Sequence, residues 1–109
     1  MAQTVFAQPG DGTVTDMGGS RRRVVIELPE LMVVEFTFET GAVGAPHSHP
    51  HVQSSYVASG VFDVTIDGVT ERLGAGGAFI VPSGKVHGVV AVEGGVLIDN
   101  FTPRRDDFL

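Results

Sequence analysis

A chain of 109 residues is long enough for one hydrophobic core and too short for two, and its net charge of −6 argues against a nucleic-acid partner. The absence of cysteine excludes disulfide bonds, a thiol nucleophile and a cysteine-ligated zinc site. Because there is neither a signal peptide nor an apolar stretch of about 20 residues, we expect one cytoplasmic domain over residues 1–109 with no membrane partner.

Short alternating runs bounded by Gly, Pro, Asp or Asn dominate the chain, and no segment keeps a helical period, which predicts an all-β fold. The predicted strands lie within residues 24–28, 31–40, 52–59, 61–73, 78–81, 86–92 and 96–101. Within 61–73, the pair Asp67-Gly68 is typical of a two-residue hairpin turn, whose central positions both need positive φ. About seven to nine such strands with short connections favour an antiparallel sandwich or barrel.

Three features beside these strands have plain interpretations. The run Arg21–Arg23 lacks interleaved aromatic residues and a wider basic face, so we expect it to be a solvated surface run. Tyr56, the one tyrosine of the chain, is expected in the core. Lys85 is expected on the surface, at or near the rim of any cavity.

Three histidines stand at alternate positions, His47, His49 and His51, and Gln53 follows two residues later. Alternate residues of a strand point to one face, so these side chains share a side if the strand is regular. Neutral imidazole is the commonest metal ligand, and His87 can close the set from another strand. Polar turn residues of a hairpin are the plain alternative.

The same histidines belong to two spaced motifs that resemble those of the cupin family. Residues 41–60 read G-x5-H-x-H-x3-Q-x6-G, and residues 76–91 begin with G-x5-P-x-G-x2-H. The resemblance implies a single-domain, antiparallel double-sheet jelly-roll barrel. It also implies a metal site whose ligands are His47, His49, Gln53 and His87.

Two departures from the family pattern are present, and the first is informative. Gln53 stands where the family usually has glutamate, and Ala91 stands where the second motif often has asparagine. Three imidazoles and an amide leave the full charge on a divalent metal, which favours anionic or polyhydroxylated ligands and a Lewis-acid role. The set differs from the carboxylate-containing sets typical of oxygen-activating iron, and Ni, Zn, Fe, Co and Mn all remain open. His51, whose position the pattern skips, is expected at the rim or behind the ligands.

The C-terminal segment 98–109 contains Asp99, Phe101 and Arg105. A strand end followed by a charged tail is the plain interpretation. Together with the glutamine-containing metal set, however, this D-x-F-x3-R pattern resembles the KdgF-type cupins of pectin and alginate breakdown. The resemblance implies an enzyme that converts 4,5-unsaturated monouronates to the linear keto form, with Asp99, Phe101 and Arg105 as functional residues.

The chemistry of an unsaturated uronate gives each of these residue types a role. Arg105 can hold the carboxylate with a planar pair of hydrogen bonds, although Arg104 competes for that role. Asp99 is the candidate general acid/base that protonates C4 of the enol. Burial against Phe101 would raise the pKa of Asp99 and Arg105 would lower it. Phe101 is a wall for the sugar face or ordinary core.

Two other functions stay open from the sequence: an iron-dependent dioxygenase that uses O₂, and a non-catalytic module that binds a sugar acid. For the uronate-converting enzyme and for the binding module, the expected partner is a small-molecule sugar acid. We also expect a homodimer, because small jelly rolls often pair exposed sheet edges. The segment QTVF, residues 3–6, is the candidate added or swapped edge strand.

Overall fold

Strands pair antiparallel throughout residues 4–109, the part of the chain that the computed structural model describes. The eight strands within it are β1 (Thr13–Asp16), β2 (Ser20–Leu28), β3 (Leu31–Phe38), β4 (Val43–His47), β5 (Val52–Ile66), β6 (Val69–Leu73), β7 (Ala78–Val81) and β8 (His87–Thr102). One turn of 3-10 helix, Asp106–Phe108, follows β8. No helix within residues 4–109 is long and apolar enough to cross a membrane.

The long strands β5 and β8 run side by side and belong to two layers. The end of β8 pairs with β3 and its start pairs with β4, while the start of β5 pairs with β7 and its end with β6. One layer therefore has the order β1-β2-β3-β8-β5-β7 and the other has the order β4-β8-β5-β6. This is the all-β, double-sheet jelly-roll arrangement that the sequence predicts.

Glycines allow β5 and β8 to approach closely where both strands bend from one layer to the other. Gly60 has a φ of 85°, and a Cβ at that position would lie 2.7 Å from the carbonyl oxygen of Glu93. A Cβ at Gly95 would lie 2.1 Å from the carbonyl oxygen of Ser59. Because neither position admits a side chain, glycine at both keeps the strands paired through the bulge.

Several predicted boundaries were wrong for a physical reason. The breaks that the sequence predicts at residue 60 and at residues 93–95 are irregularities inside the continuous strands β5 and β8. The sequence also misses β1, which is exposed along its whole length, and β4, which contains glycine and proline. Tyr56 is 51% exposed and not in the core, because it points outward between buried neighbours.

The hairpin prediction is confirmed, since Asp67 has a φ of 50° and Gly68 a φ of 80° between β5 and β6. The alternation in β3 is also confirmed, because Val34 and Phe38 are buried on the face that Phe36 shares. Two buried apolar clusters fill the space between the layers. One is centred on Phe62 and Val57 and the other on Met32 and Val34.

Candidate metal and substrate site

A cavity of about 310 Å³ is lined by most of the site residues that the sequence predicts. Its walls come from both layers and from the C-terminal turn. Six of the predicted site residues line it: His47, Gln53, His87, Asp99, Phe101 and Arg105. His49 is buried beside Gln53. The structure therefore brings the two cupin-like motifs and the C-terminal pattern to one place.

The three histidines His47, His49 and His87 form a cluster whose ring nitrogens all lie within 4.8 Å of one another. His47 at the end of β4 pairs with His87 at the start of β8 in the antiparallel register, and their ring centroids are 4.4 Å apart. His49 lies just after β4, with its ring centroid 4.8 Å from that of His87. Within residues 4–109, His51 is not part of this cluster.

A backbone carbonyl two residues away orients each of the three imidazoles. The Nδ1 atoms lie 2.9 Å from Ala45 O for His47, 3.1 Å from His51 O for His49, and 2.9 Å from Lys85 O for His87. Because a carbonyl oxygen only accepts, each Nδ1 carries the proton and each Nε2 keeps a free lone pair. Nε2 of His87 is buried and has no hydrogen-bond partner among residues 4–109. Proteins orient imidazole in this way for metal binding.

Gln53 places a fourth candidate ligand atom beside the histidines. Its Oε1 lies 3.1 Å from Nε2 of His49. When Nδ1 of His49 carries the proton, both atoms of this contact are acceptors, so they suit two ligands of one cation better than a hydrogen bond. Two ligand atoms that are each about 2.1 Å from one metal ion lie roughly 3.0–3.4 Å apart at octahedral or tetrahedral angles. The residues therefore fit a divalent transition metal, and imidazole with amide donors suits Ni, Zn, Fe, Co and Mn alike.

Burial favours the neutral, metal-binding form of His49 and of His87. It is the main cause that lowers the pKa of His49, and the positive charge of Arg105 adds to it. Burial is also the main cause that lowers the pKa of His87. A proton therefore competes less well for both ring nitrogens than it would in an exposed histidine.

Asp99 lies on β8, 5% exposed, and faces the cavity. Ser55 stands opposite it in the β5–β8 register, and Ser55 Oγ donates a hydrogen bond of 2.5 Å to Asp99 Oδ1. Burial raises the pKa of Asp99 to about 7, although the hydrogen bond from Ser55 and the charge of Arg105 oppose the increase. Desolvation thus outweighs Arg105, and the carboxyl group can exchange a proton near neutral pH.

Hydrogen bonds connect the metal donor set to this carboxyl group. Gln53 Nε2 donates to Ser55 Oγ at 3.0 Å, and Ser55 donates in turn to Asp99. These contacts turn the amide oxygen of Gln53 toward His49 and its nitrogen toward Ser55. A glutamate at position 53 has no proton to donate to Ser55, so the chain gives a physical reason for glutamine there. Ser55 was not predicted as a site residue, although it stands two residues after Gln53 on the same strand face.

Arg105 is buried where the chain leaves β8 and enters the 3-10 turn. Its guanidinium donates two hydrogen bonds to Asp107, from Nε at 3.0 Å and from Nη2 at 2.8 Å. Its Cζ lies 4.2 Å from the ring centroid of Phe108 and 5.3 Å from that of Phe101. The Arg105–Asp107 contact lowers the pKa of Asp107 and fixes the plane of the guanidinium.

The neighbouring Arg104 does not line this cavity. It makes ion pairs of 3.2 Å with Glu27 and 2.8 Å with Asp106. The structure therefore separates the two arginines, which the sequence could rank only by the spacing of the family pattern. Lys85 is half exposed and pairs with Asp67 at 3.4 Å, as expected of a surface lysine.

Phe101 is part of the core and also part of the cavity wall. It is 2% exposed and belongs to the apolar cluster around Met32. It also lines the cavity, and its ring centroid lies 5.7 Å from that of His49. One face of the cavity is therefore a core side chain with little freedom to move.

The prediction that Arg21–Arg23 is a solvated surface run is wrong for Arg22. Strand β2 begins at Ser20, and its alternation turns Arg22 into the cavity. The guanidinium Cζ of Arg22 lies 4.0 Å from the ring centroid of Phe108. Because the strand was predicted to begin at residue 24, its alternation did not extend to the arginines.

Comparisons with known proteins agree with this geometry. A family model described as Cupin domain matches residues 34–98. The pectin degradation protein KdgF of Dickeya dadantii (strain 3937) is 44% identical, with 98% of this chain and 93% of that protein covered. The structure of KdgF from Halomonas sp. has a TM-score of 0.91 at 41% identity and covers 98% of this chain and 100% of that one. An RmlC-like cupin from Shewanella frigidimarina NCIMB 400 has a TM-score of 0.93 at 42% identity, over 98% of this chain and 97% of that one.

Proposed function

Because the chain belongs to the cupin family and is a homologue of the pectin degradation protein KdgF, we propose that it is an enzyme that converts 4,5-unsaturated monouronates to linear 4-deoxy-5-keto-uronates. Pectin and alginate are the polymers whose breakdown yields such uronates. The observation that carries the proposal is a buried carboxyl group with a pKa of about 7 in the same cavity as a three-histidine cluster and Arg105.

The proposed reaction is an isomerisation in which every atom stays in the substrate or exchanges as a proton. The bond between C1 and the ring oxygen breaks, the C1 hydroxyl loses its proton and the ring oxygen gains one, which leaves an aldehyde at C1 and an enol at C5. C4 then gains a proton and the enol hydroxyl loses one, which leaves a ketone at C5. The step that needs help is delivery of a proton to carbon from a group shielded from water.

Asp99 is the proton donor in this proposal. Its pKa of about 7 keeps a substantial protonated fraction at neutral pH, which an exposed aspartate does not have. Ser55 holds Oδ1, so Oδ2 is left for the substrate. Because Asp99 is buried in a strand, its carboxyl group needs little reorganisation before it reacts.

Arg105 and Phe101 position the sugar acid. Arg105 is held in one plane by Asp107, and its remaining N–H groups can donate to the uronate carboxylate. Phe101 supplies an apolar surface for a face of the ring, next to the histidines. The cavity of about 310 Å³ is of a size for one monosaccharide.

His47, His49, Gln53 and His87 would hold a divalent metal, which would polarise sugar oxygen atoms as a Lewis acid. All four donors are neutral, so the residues leave the full positive charge in the cavity and favour an anionic ligand. Because it contains no carboxylate, this ligand set differs from the ligand sets typical of oxygen-activating iron.

The test is the loss of ultraviolet absorbance from 4,5-unsaturated galacturonate, with enzyme, without enzyme, and after treatment with a chelator. We expect the enzyme to accelerate the conversion above the spontaneous rate, to lose that acceleration on chelation, and to regain it with a divalent metal. No acceleration by protein that contains metal would contradict the proposal. Oxygen uptake would then favour a dioxygenase, and uronate binding without product would favour a binding module.

We also propose that two copies associate through the edge of the first layer. Strand β1 is an edge strand of this layer, and all four of its residues are exposed. Residue 3 of the segment 3–6 lies outside the described residues, and residues 4–6 form no strand in the single chain, with Phe6 82% exposed. Light scattering should give the mass of a dimer, and a monomer at micromolar concentration would contradict this.

A further inference from the structure

Arg22 is a second arginine in the wall of the cavity that contains Arg105. It stands opposite Phe36 in the β2–β3 register, and both side chains line the cavity. Its Cζ and that of Arg105 both lie within 4.2 Å of the ring centroid of Phe108. The two cations therefore share one aromatic ring at the C-terminal end of the cavity.

The two arginines differ in how their charge is balanced. Arg105 is paired with the carboxylate of Asp107 through two hydrogen bonds. Among residues 4–109, Arg22 has no ion pair, and its buried Nε has no hydrogen-bond partner. The neighbouring Arg23 points to the other face and pairs with Glu35 at 3.2 Å. Arg22 is thus the cavity arginine whose charge and donors are free for a ligand.

The charges that line the cavity favour an anion as that ligand. The chain as a whole has a net charge of −6, yet the charged side chains in the cavity wall are two arginines and one aspartate. That aspartate, Asp99, has its pKa raised by burial, so it offsets little of the positive charge below neutral pH. A half-buried guanidinium without a partner is unfavourable, and a bound carboxylate removes that penalty.

We propose that Arg22 binds the carboxylate of the substrate together with Arg105 and makes the cavity selective for sugar acids over neutral sugars. This inference rests on the proposed function, since it names a further substrate-binding residue for the same reaction. The fork of a guanidinium matches a carboxylate, whereas the contact of Arg22 with the ring of Phe108 uses no conventional hydrogen bond. The N–H donors of Arg22 therefore remain for the ligand.

A purely structural role for Arg22, in which it only anchors the C-terminal turn through Phe108, makes different predictions. It would make Arg22→Gln less stable and would change the binding of acidic and neutral sugars alike. A carboxylate-binding role changes the binding of acidic sugars alone. The ratio of the two affinities therefore separates the roles, whatever happens to stability.

The experiment compares the parent, Arg22→Gln and the matched control Arg21→Gln, whose parent residue on the same strand is exposed. Calorimetry would measure binding of galacturonate and of galactose, and the absorbance assay would give KM and kcat for the unsaturated galacturonate. We expect Arg22→Gln to weaken galacturonate binding and raise KM roughly 10-fold to 100-fold, with little change in kcat, in metal content or in galactose binding. Arg21→Gln should match the parent.

Equal galacturonate affinity and KM in the parent and in Arg22→Gln would overturn the role of Arg22 while the proposed function stands. A parent that neither binds galacturonate nor converts the unsaturated form would overturn both proposals. If Arg22→Gln does not fold, Arg22→Lys keeps a cation on the ring of Phe108 and removes the forked donors. If Arg22→Lys keeps both the KM and the preference for galacturonate over galactose of the parent, that result would likewise overturn the inference.

Discussion

The cavity has a histidine end, formed by His47, His49 and His87, and an acid end, formed around Asp99. The two ends are built in different ways. At the histidine end, each imidazole is oriented by a carbonyl two residues away in the same segment, as His47 is by Ala45. At the acid end, Asp99 is held by Ser55 on another strand, and Arg22 meets Phe108 from the opposite end of the chain. The first end depends on local backbone and the second on packing between distant segments.

This difference means that metal binding and proton transfer should respond separately to mutation. A substitution at Asp99 leaves the carbonyls that orient the histidines untouched. A substitution at Gln53 or Ser55 acts on both ends, because these two residues link them by hydrogen bonds.

Asp99→Asn should abolish most of the activity and keep the metal. The amide cannot give a proton to C4, so we expect the rate to fall by about 10²–10⁴-fold. Metal content should stay equal to that of the parent, measured by elemental analysis on the same samples. Glu71→Gln, an exposed position on the edge strand β6, is the matched control and should keep full activity. An Asp99→Asn enzyme as fast as the parent would remove Asp99 from the mechanism.

Gln53→Glu should keep the metal and lose rate. A carboxylate at this position binds a cation well, but it adds a negative charge and cannot donate to Ser55. We expect a roughly 10-fold to 100-fold lower kcat with metal content at or above that of the parent. Steady-state kinetics with elemental analysis checks this. Full activity in the glutamate variant would show that the amide is not needed to connect the two ends.

Ser55→Ala should have a smaller effect on the rate and a distinct effect on its pH dependence. Loss of this buried hydrogen bond should lower kcat roughly tenfold. In the parent, activity should decline above about pH 7, where Asp99 loses its proton. Because the hydrogen bond from Ser55 lowers the pKa of Asp99, its removal raises that pKa, so the decline should move to higher pH. A decline that moves to lower pH, or does not move, would contradict this coupling.

The pH dependence of the stability of the fold should also depend on the pKa of Asp99. The value of about 7 in the folded protein lies above the ordinary 3.8, so the folded state binds more protons between these two values. The contribution of protonated Asp99 is therefore complete below about pH 4 and is lost as the pH rises through 7. Relative to the parent, the Tm of Asp99→Asn should increase between about pH 4 and pH 7. A constant difference would mean that burial does not raise this pKa.

The histidine end could be predicted from the sequence because its determinants are close together along the chain. His47, His49 and Gln53 lie within seven residues of one another, at the end of β4, just after it and on β5, and the fold needs only to bring His87 beside them. The hairpin at Asp67-Gly68 was predictable for the same reason, since its φ values are a property of two residues.

The acid end was only partly predictable because its contacts cross the sheet. Asp99 and Arg105 were found through a family pattern, but the pKa of Asp99 depends on burial that composition does not give. Arg22 and Ser55 were missed, since one was assigned to a surface run and the other is an ordinary serine. Both errors follow from strand register, which decides the side to which a side chain points.

The most direct test of proton transfer by Asp99 is NMR analysis of the product formed in D₂O. Asp99 is fixed on one wall of the cavity, so the enzyme should place deuterium mainly in one of the two C4 positions. The spontaneous conversion, run in parallel without enzyme, should label both positions. Equal labelling at both C4 positions in the enzymatic product, under conditions where the enzyme accelerates its formation, would contradict delivery of the proton by a positioned group.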